Sequence, residues 1–171
     1  MRLVTLPVTP VTPEAFAPFG RLLPPEGPRS FGRHDFDSWV MPFRAEGPVR
    51  LQVVRYHPKP FVVRIIERHL HVTETRQPLN PHPCVLVVAP PSDQPPAPEQ
   101  MTAFDLAGQG LMFHPGVWHS IDAYPLGEEP CDYLFLSEEA TVKELFDGTA
   151  HPLRTQVHDF AAAGIELRVR G

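Results

Sequence analysis

Phe61-Val62-Val63-Arg64-Ile65-Ile66-Glu67-Arg68-His69-Leu70-His71-Val72 is the stretch on which the fold turns. It is dense in β-branched side chains and reads as a strand. Arg50-Leu51-Gln52-Val53-Val54-Arg55-Tyr56 precedes it with the same character. Only His57-Pro58-Lys59-Pro60 separates the two, which predicts a hairpin-like pair. Further out, short runs at Cys84–Ala89, Met101–Leu106, Leu111–Phe113, His119–Tyr124 and Asp132–Leu136 alternate with turn-rich segments such as Pro90-Pro91-Ser92-Asp93-Gln94-Pro95-Pro96. Residues Ile165–Arg170 read as a last edge strand. Strands of this length and spacing predict an all-β sandwich or barrel.

Two helices fit around the strands. Thr12 as N-cap, Pro13 at the first helical position and Glu14 in the first turn start one, and Pro18 and Gly20 stop it after one or two turns. Ser137 as N-cap, Glu138 and Glu139 in the first turn and Gly148 at the end delimit the other. Between Pro24 and Pro48 the chain is rich in Pro, Gly and mixed charge. Its aromatics Phe31, Phe36, Trp39 and Phe43 are irregularly spaced, which reads as a long loop pinned by aromatic anchors and suited to covering a site.

A chain of 171 residues has the usual length of one domain, so one domain over 1–171 is expected, with residues 50–136 as the barrel core. Proline accounts for 23 residues, far above the typical share of about 5%, which leaves little room for long helices and excludes an all-α fold. The formal net charge of −5 and the lack of any basic run argue against a nucleic-acid partner. No apolar stretch approaches the roughly 20 residues of a membrane span, and the N-terminal apolar run is too short for a signal peptide, so a cytoplasmic location is expected. Cys84 and Cys131 lack CxxC spacing and read as small core residues.

The chemistry concentrates in Glu67-Arg68-His69-Leu70-His71-Val72-Thr73-Glu74. Strand alternation projects Glu67, His69 and His71 from one side and Arg68, Leu70 and Val72 from the other. Two imidazoles on one face are either a metal pair or polar residues on a solvated face. A turn could bring the Glu74 carboxylate back toward them to complete a His-His-carboxylate set. Gly110-Leu111-Met112-Phe113-His114-Pro115-Gly116-Val117-Trp118-His119 reads as strand, Pro-Gly turn and strand, aiming His119 at a fixed point. HxHxxE followed some fifty residues later by PGxxH supplies three imidazoles and a carboxylate from neighbouring strands. Arg55 either points inward with Leu51 and Val53 to hold a substrate carboxylate or lies on the surface. Glu67 is either a general base or a partner for Arg55 or Arg68. His114 is an accessory cavity residue or a loop histidine. Trp118 faces away from His119 into the core. His34, His57, His82, His151 and His158 carry no site signal.

The paired motifs resemble the cupin superfamily, whose double-stranded β-helix barrel holds a metal through two His and a Glu from one motif and a His from the next. That resemblance implies an all-β cupin barrel with a short N-terminal helix and one helix in the C-terminal half. It implies a divalent metal ion (nickel, manganese, zinc or iron) on His69, His71, Glu74 and His119. A closer likeness covers most of the chain. Leu6-Pro7, Thr12-Pro13-Glu14-Ala15-Phe16-Ala17-Pro18-Phe19-Gly20, Val54-Arg55 with Pro58, Glu67-Arg68-His69, Val85-Leu86-Val87-Val88-Ala89-Pro90, Gly116-Val117-Trp118-His119 and Asp132-Tyr133-Leu134 are similar, in order and spacing, to segments of the ureidoglycolate lyase family. The resemblance implies cleavage of ureidoglycolate to glyoxylate and urea, the last step of allantoin breakdown, by a cytosolic homodimer acting on a small carboxylate. Arg55, Arg68 and Ser120 become candidate substrate-binding residues, and Glu67 and His114 candidate catalytic residues for moving protons. The chain departs from the family's usual ERHPxxxQAFIP after the ERH, gaining His71 and Glu74, and Ser120 stands where a second His usually follows WH. These departures keep two alternatives in play: a metal-dependent cupin isomerase or oxygenase on another small carboxylate, and a metal-free small-acid binding module.

Overall fold

A computed structural model describes residues 1–24, 27–147 and 153–170. The all-β expectation holds. Among these residues there are a nine-stranded sheet, a five-stranded sheet and a two-stranded hairpin. The nine-stranded sheet runs Thr155–Asp159, Ile65–His69, Trp118–Ser120, Cys84–Ala89, Thr102–Asp105, Arg2–Pro10, Ile165–Arg170, Val62–Val63, with Tyr124–Pro125 joined to Cys84–Ala89. The five-stranded sheet runs Gly20–Leu22, Leu111–Phe113, Thr75–Pro78, Cys131–Glu138, Val49–Tyr56. Val62–Val63 and Ile65–His69 lie far apart in the order of the larger sheet, yet only Arg64 separates them in the chain. That sheet therefore curls back on itself.

The curl gives the larger sheet two buried faces. Cys84, Leu86 and Val88 point to the five-stranded sheet, where they pack with Phe104, Leu111, Phe113, Tyr133 and others. Val85, Val87 and Ala89 point into a second core with Trp118, Tyr124, Phe160 and Leu167. The unbroken apolar run Cys84–Ala89 is the sequence consequence, since every side chain on it is fully buried. Each large aliphatic residue buried this way contributes about 1.5–3 kcal/mol. The facing curled sheets form a half-barrel.

Several local expectations need correction. The segments around Arg50–Tyr56 and Phe61–Val72 do not pair with one another. Val49–Tyr56 pairs with Cys131–Glu138, and Ile65–His69 pairs with Trp118–Ser120 and Thr155–Asp159. Pro58 and Pro60 offer no amide hydrogens for a tight ladder, and their segment carries the chain from one sheet to the other. Ile165–Arg170 is not an edge strand, because Arg2–Pro10 lies parallel to it on one side and Val62–Val63 antiparallel on the other. Arg2–Pro10 itself was not legible as a strand. It changes partner at Pro7, pairing with Ile165–Arg170 up to that residue and with Thr102–Asp105 from Val8 onward. A proline is tolerated at such a break.

The first helix, Pro13–Phe16, is capped by Thr12, whose Oγ1 accepts from the Ala15 amide at 3.2 Å. The second covers Glu139–Phe146 with Glu138 at its N-cap. Ser137 is therefore not the cap, since the strand Cys131–Glu138 continues through it. The predicted end at Gly148 lies outside the described residues, as does His151. Within 24–48, Phe31–Arg33 and Phe36–Ser38 form the separate hairpin. Phe31 and Phe36 pack on each other rather than on the barrel.

Candidate active site

Two strands of the larger sheet and one of the smaller converge on a buried polar cluster. Glu67 and His69 project inward from Ile65–His69, and His119 lies directly across the ladder from Glu67. The turn that aims His119 is built as the sequence predicts. Pro115 and Gly116 are its central residues, Gly116 sits at φ +83, and the Val117 amide donates to the His114 carbonyl at 3.3 Å. The Gly116 amide also donates to the His69 carbonyl at 2.6 Å, which ties the two motifs together.

After His69 the chain leaves the strand, crosses to the five-stranded sheet and enters it at Thr75. Glu74, at that entry, turns its carboxylate back. Its Oε2 lies 3.2 Å from His69 Nε2 and its Oε1 3.7 Å from His119 Nε2. Glu67 Oε1 lies 3.7 Å from His69 Nε2 and 3.5 Å from His119 Nε2. Strand alternation from Glu74 brings Arg76 to the same cavity, and its Nε donates to Glu74 Oε1 at 2.8 Å. All five side chains are buried.

The hydrogen bonds behind the imidazoles fix which nitrogen faces inward. His119 Nδ1 lies 3.1 Å from the Val117 carbonyl, which can only accept, so Nδ1 carries the proton. His69 Nδ1 lies 3.2 Å from Thr155 Oγ1, whose own hydrogen goes to the Thr141 carbonyl. In the neutral rings both Nε2 lone pairs therefore point at the carboxylates. Lone pairs facing carboxylate oxygens repel unless a cation or a proton lies between them. His119 Nε2 and Glu67 Oε2 are buried without hydrogen-bond partners among the described residues. Glu67, His69 and His119 offer ligand atoms all within 4.8 Å of one another. Two imidazoles with a carboxylate, each ring oriented from behind, suit a divalent ion.

The electrostatics follow from burial and proximity. Burial alone would raise the Glu74 carboxyl, but the Arg76 guanidinium and the His69 ring hold it well below the usual range. Burial works against protonation of His69, and the Glu67 and Glu74 carboxylates outweigh it and raise the ring. His119 goes the other way, because its burial prevails and lowers it.

The remaining predicted residues lie elsewhere. His71 is past the strand end, half-exposed, with Nδ1 3.2 Å from Glu46, so alternation does not carry it to the cluster. Arg55 faces solvent and makes a two-pronged contact with Asp132 at 2.7 and 2.8 Å. The inward residues of its strand are Gln52, Val54 and Tyr56, while Leu51 and Val53 are exposed, the reverse of the assumed facing. Arg68 is on the outer side of its strand, bound to Gln156 and the Ser92 carbonyl and stacked over Trp118. Ser120 is buried on the face opposite His119, accepting from the Val87 amide and donating to the Asp122 carbonyl. His114 is exposed beside Pro13, Ala17 and Arg21, outside the cavity. Trp118 is in the core, as expected.

The cavity measures about 130 Å³. Besides Glu67, His69, Glu74 and Arg76 it is lined by Tyr56, Phe135 and Ser137, and by Thr141, Val142, Leu145 and Phe146 of the second helix. That helix forms part of its wall, and none of the described residues of the 24–48 segment lines it. The helix was expected from sequence, but its place at the cavity and that of Arg76 were not. The i, i+2 step from Glu74 could have flagged Arg76 had Thr75–Pro78 been read as a strand.

A buried pair of imidazoles and carboxylates between the sheets of a half-barrel suits a metal-assisted small-molecule site. Comparison with known proteins gives the particular branch. The ureidoglycolate lyase family pattern matches residues 3–157, and this chain belongs to that family. It is 36% identical over 124 residues to the ureidoglycolate lyase of Azotobacter vinelandii, covering 67% of this chain and 74% of that protein. It is 35% identical over 125 residues to that of Stutzerimonas stutzeri, covering 67% and 73%. Among solved structures, RmlC from Streptococcus suis in complex with dTDP-D-xylose aligns with a TM-score of 0.35 and 7% identity over 53% of this chain and 44% of that one.

Proposed function

We propose that the chain is a metal-assisted ureidoglycolate lyase, releasing glyoxylate and urea from ureidoglycolate at the cavity around Glu67, His69, Glu74 and His119. The observation that carries this reading is the pair of inward Nε2 lone pairs facing two buried carboxylates in a member of this family. His69, His119, Glu74 and the Oε1 of Glu67 would hold a divalent cation (nickel, manganese, zinc or iron). Bound there, such an ion lowers the pKa of a hydroxyl it coordinates. His71 is absent from this set because it lies on Glu46.

Proton transfer falls to Glu67. His114 lies outside the cavity, and Glu67 Oε2 is a buried oxygen without a partner among the described residues. The Glu67 carboxylate takes the proton of the substrate hydroxyl, and the electron pair left on that oxygen forms the aldehyde carbonyl as the carbon–nitrogen bond breaks. The Glu67 carboxyl then returns the same proton to the departing nitrogen, which leaves as urea. No water is consumed. Of the departures from the family pattern, His71 and Ser120 do not reach the cavity, whereas Glu74 and Arg76, which stands where the pattern has Phe, both line it.

The reading includes a cytoplasmic homodimer acting in allantoin breakdown. The exposed stripe Val49, Leu51 and Val53 on an edge strand supports a self-association surface. Among the described residues no helix is long and apolar enough to cross a membrane. The test is release of urea and glyoxylate from racemic ureidoglycolate by chelated protein resupplied with each of the four metals. Activity restored by one or more metals and lost in Glu67→Gln supports the proposal. Oxygen consumption in place of urea release would favour the oxygenase alternative, and inactivity with every metal would refute the lyase reading.

A further inference from the structure

Arg76 is the least expected group in the cavity. Its guanidinium is 2% exposed, lies over the Phe135 ring at 4.6 Å and the Phe113 ring at 5.4 Å, and spends only its Nε on Glu74. Its Nη1 is buried with no hydrogen-bond partner among the described residues, although Arg76 lines the cavity. An unpaired guanidinium N–H in a buried site is costly, and the group that satisfies it best is a carboxylate. Sandwiching against aromatic rings holds the fork in place without consuming its donors.

The charge balance points the same way. Glu67 and Glu74 bring two negative charges and Arg76 one positive, while neutral imidazoles add none, so the protein groups alone leave one net negative charge. A divalent cation would turn this into one net positive charge, the complement of a single carboxylate. Without Arg76 the loaded site would be neutral overall, and only the ion itself would favour an anion over an uncharged analogue.

We infer that Arg76 is the residue that selects an anionic substrate, binding the substrate carboxylate through Nη1 while Nε stays on Glu74. The inference rests on the reading of this cavity as the substrate site and deepens it by naming the group that recognises the acid. It also separates two roles for the arginine. A mere counter-ion for Glu74 would affect every ligand alike, whereas a carboxylate anchor affects only the charged ones.

The experiment compares glycolate with its uncharged isostere glycolamide as ligands of the metal-loaded protein by calorimetry, for native protein and Arg76→Met. Native protein should prefer glycolate, and Arg76→Met should lose at least about tenfold of that preference, glycolate affinity falling by more than glycolamide affinity. An unchanged preference in a folded Arg76→Met overturns the inference. If that variant does not fold, a crystal structure of native protein with glycolate decides. A carboxylate within hydrogen-bond distance of Arg76 supports the anchor, and a carboxylate held elsewhere overturns it. The two readings fail separately. A native protein that releases no urea but loses its glycolate preference with Arg76 refutes the reaction and keeps the anchor. Urea release with the same KM in native and Arg76→Met protein keeps the reaction and refutes the anchor.

Discussion

Replacing Arg76 alone should damage the protein far more than replacing Arg76 and Glu74 together. The two groups meet at 2.8 Å with side chains 2% and 6% exposed, so neither can turn to water when its partner is lost. Breaking a buried pair from one side costs about 3–5 kcal/mol, whereas replacing both partners with uncharged groups of similar size is often close to neutral. Arg76→Met should fall near the lower end, because His69 lies 3.2 Å from Glu74 and can take up a proton to compensate. A loss of about 3 kcal/mol is a large share of a total stability of about 5–15 kcal/mol. At ~2–4 °C per kcal/mol for a chain of this size, it lowers Tm by roughly 6–12 °C. The double variant Glu74→Gln/Arg76→Met should lie within about 1–2 kcal/mol of native. The assay is guanidinium chloride unfolding in the presence of a chelator, so that differences in metal content do not enter. A double variant that loses the sum of the two single losses would refute the reasoning, because it would show that the pair is not coupled.

Three further outcomes are expected. His69→Leu and His119→Leu should abolish divalent-ion binding in calorimetry, while His71→Leu should leave it intact, since His71 pairs with Glu46 outside the cluster; saturating metal at about 100 times Kd should stabilise native protein by ~2.7 kcal/mol, visible as a rise in Tm. Glu144 accepts from the amides of Leu153, Arg154 and Thr155 at 2.9, 2.9 and 2.8 Å, and although burial works to raise its carboxyl, those bonds bring it below the ordinary value of 4.5. Its stabilisation should therefore be complete above that value and be lost as pH falls through the depressed one, and Glu144→Gln should flatten this acid limb in unfolding measured from pH 7 downward. Leu86→Ala, in the core between the sheets, should cost about 2–5 kcal/mol by thermal unfolding without changing divalent-ion affinity, because Leu86 touches the packing and not the cluster.

The sequence by itself determined the chemistry of the chain: strands from β-branched runs, His69 and His119 through their motifs, and Glu74 through a turn expected to bring it back. These are local properties, set by alternation over a few residues and by one Pro-Gly turn whose Gly116 takes a positive φ. Cys84–Ala89 and Leu111–Phe113 were legible to the residue for the same reason. Which strand lies beside which was decided only by the tertiary structure. Alternation fixes two faces but not which of them is inside, so the choice for Arg55 between interior and surface stayed open until Gln52, Val54 and Tyr56 were seen to take the inward face. Alternation also lasts only as long as the strand, and the strand stops at His69, which is why His71 turned out to lie on Glu46. Arg2–Pro10, Thr75–Pro78 and Thr155–Asp159 carry weak local signals and become strands because neighbouring strands supply their ladder bonds. Arg76 reached the cavity only through that second strand. Its unpaired nitrogen is a property of three dimensions, because it depends on what every neighbouring element leaves unbonded.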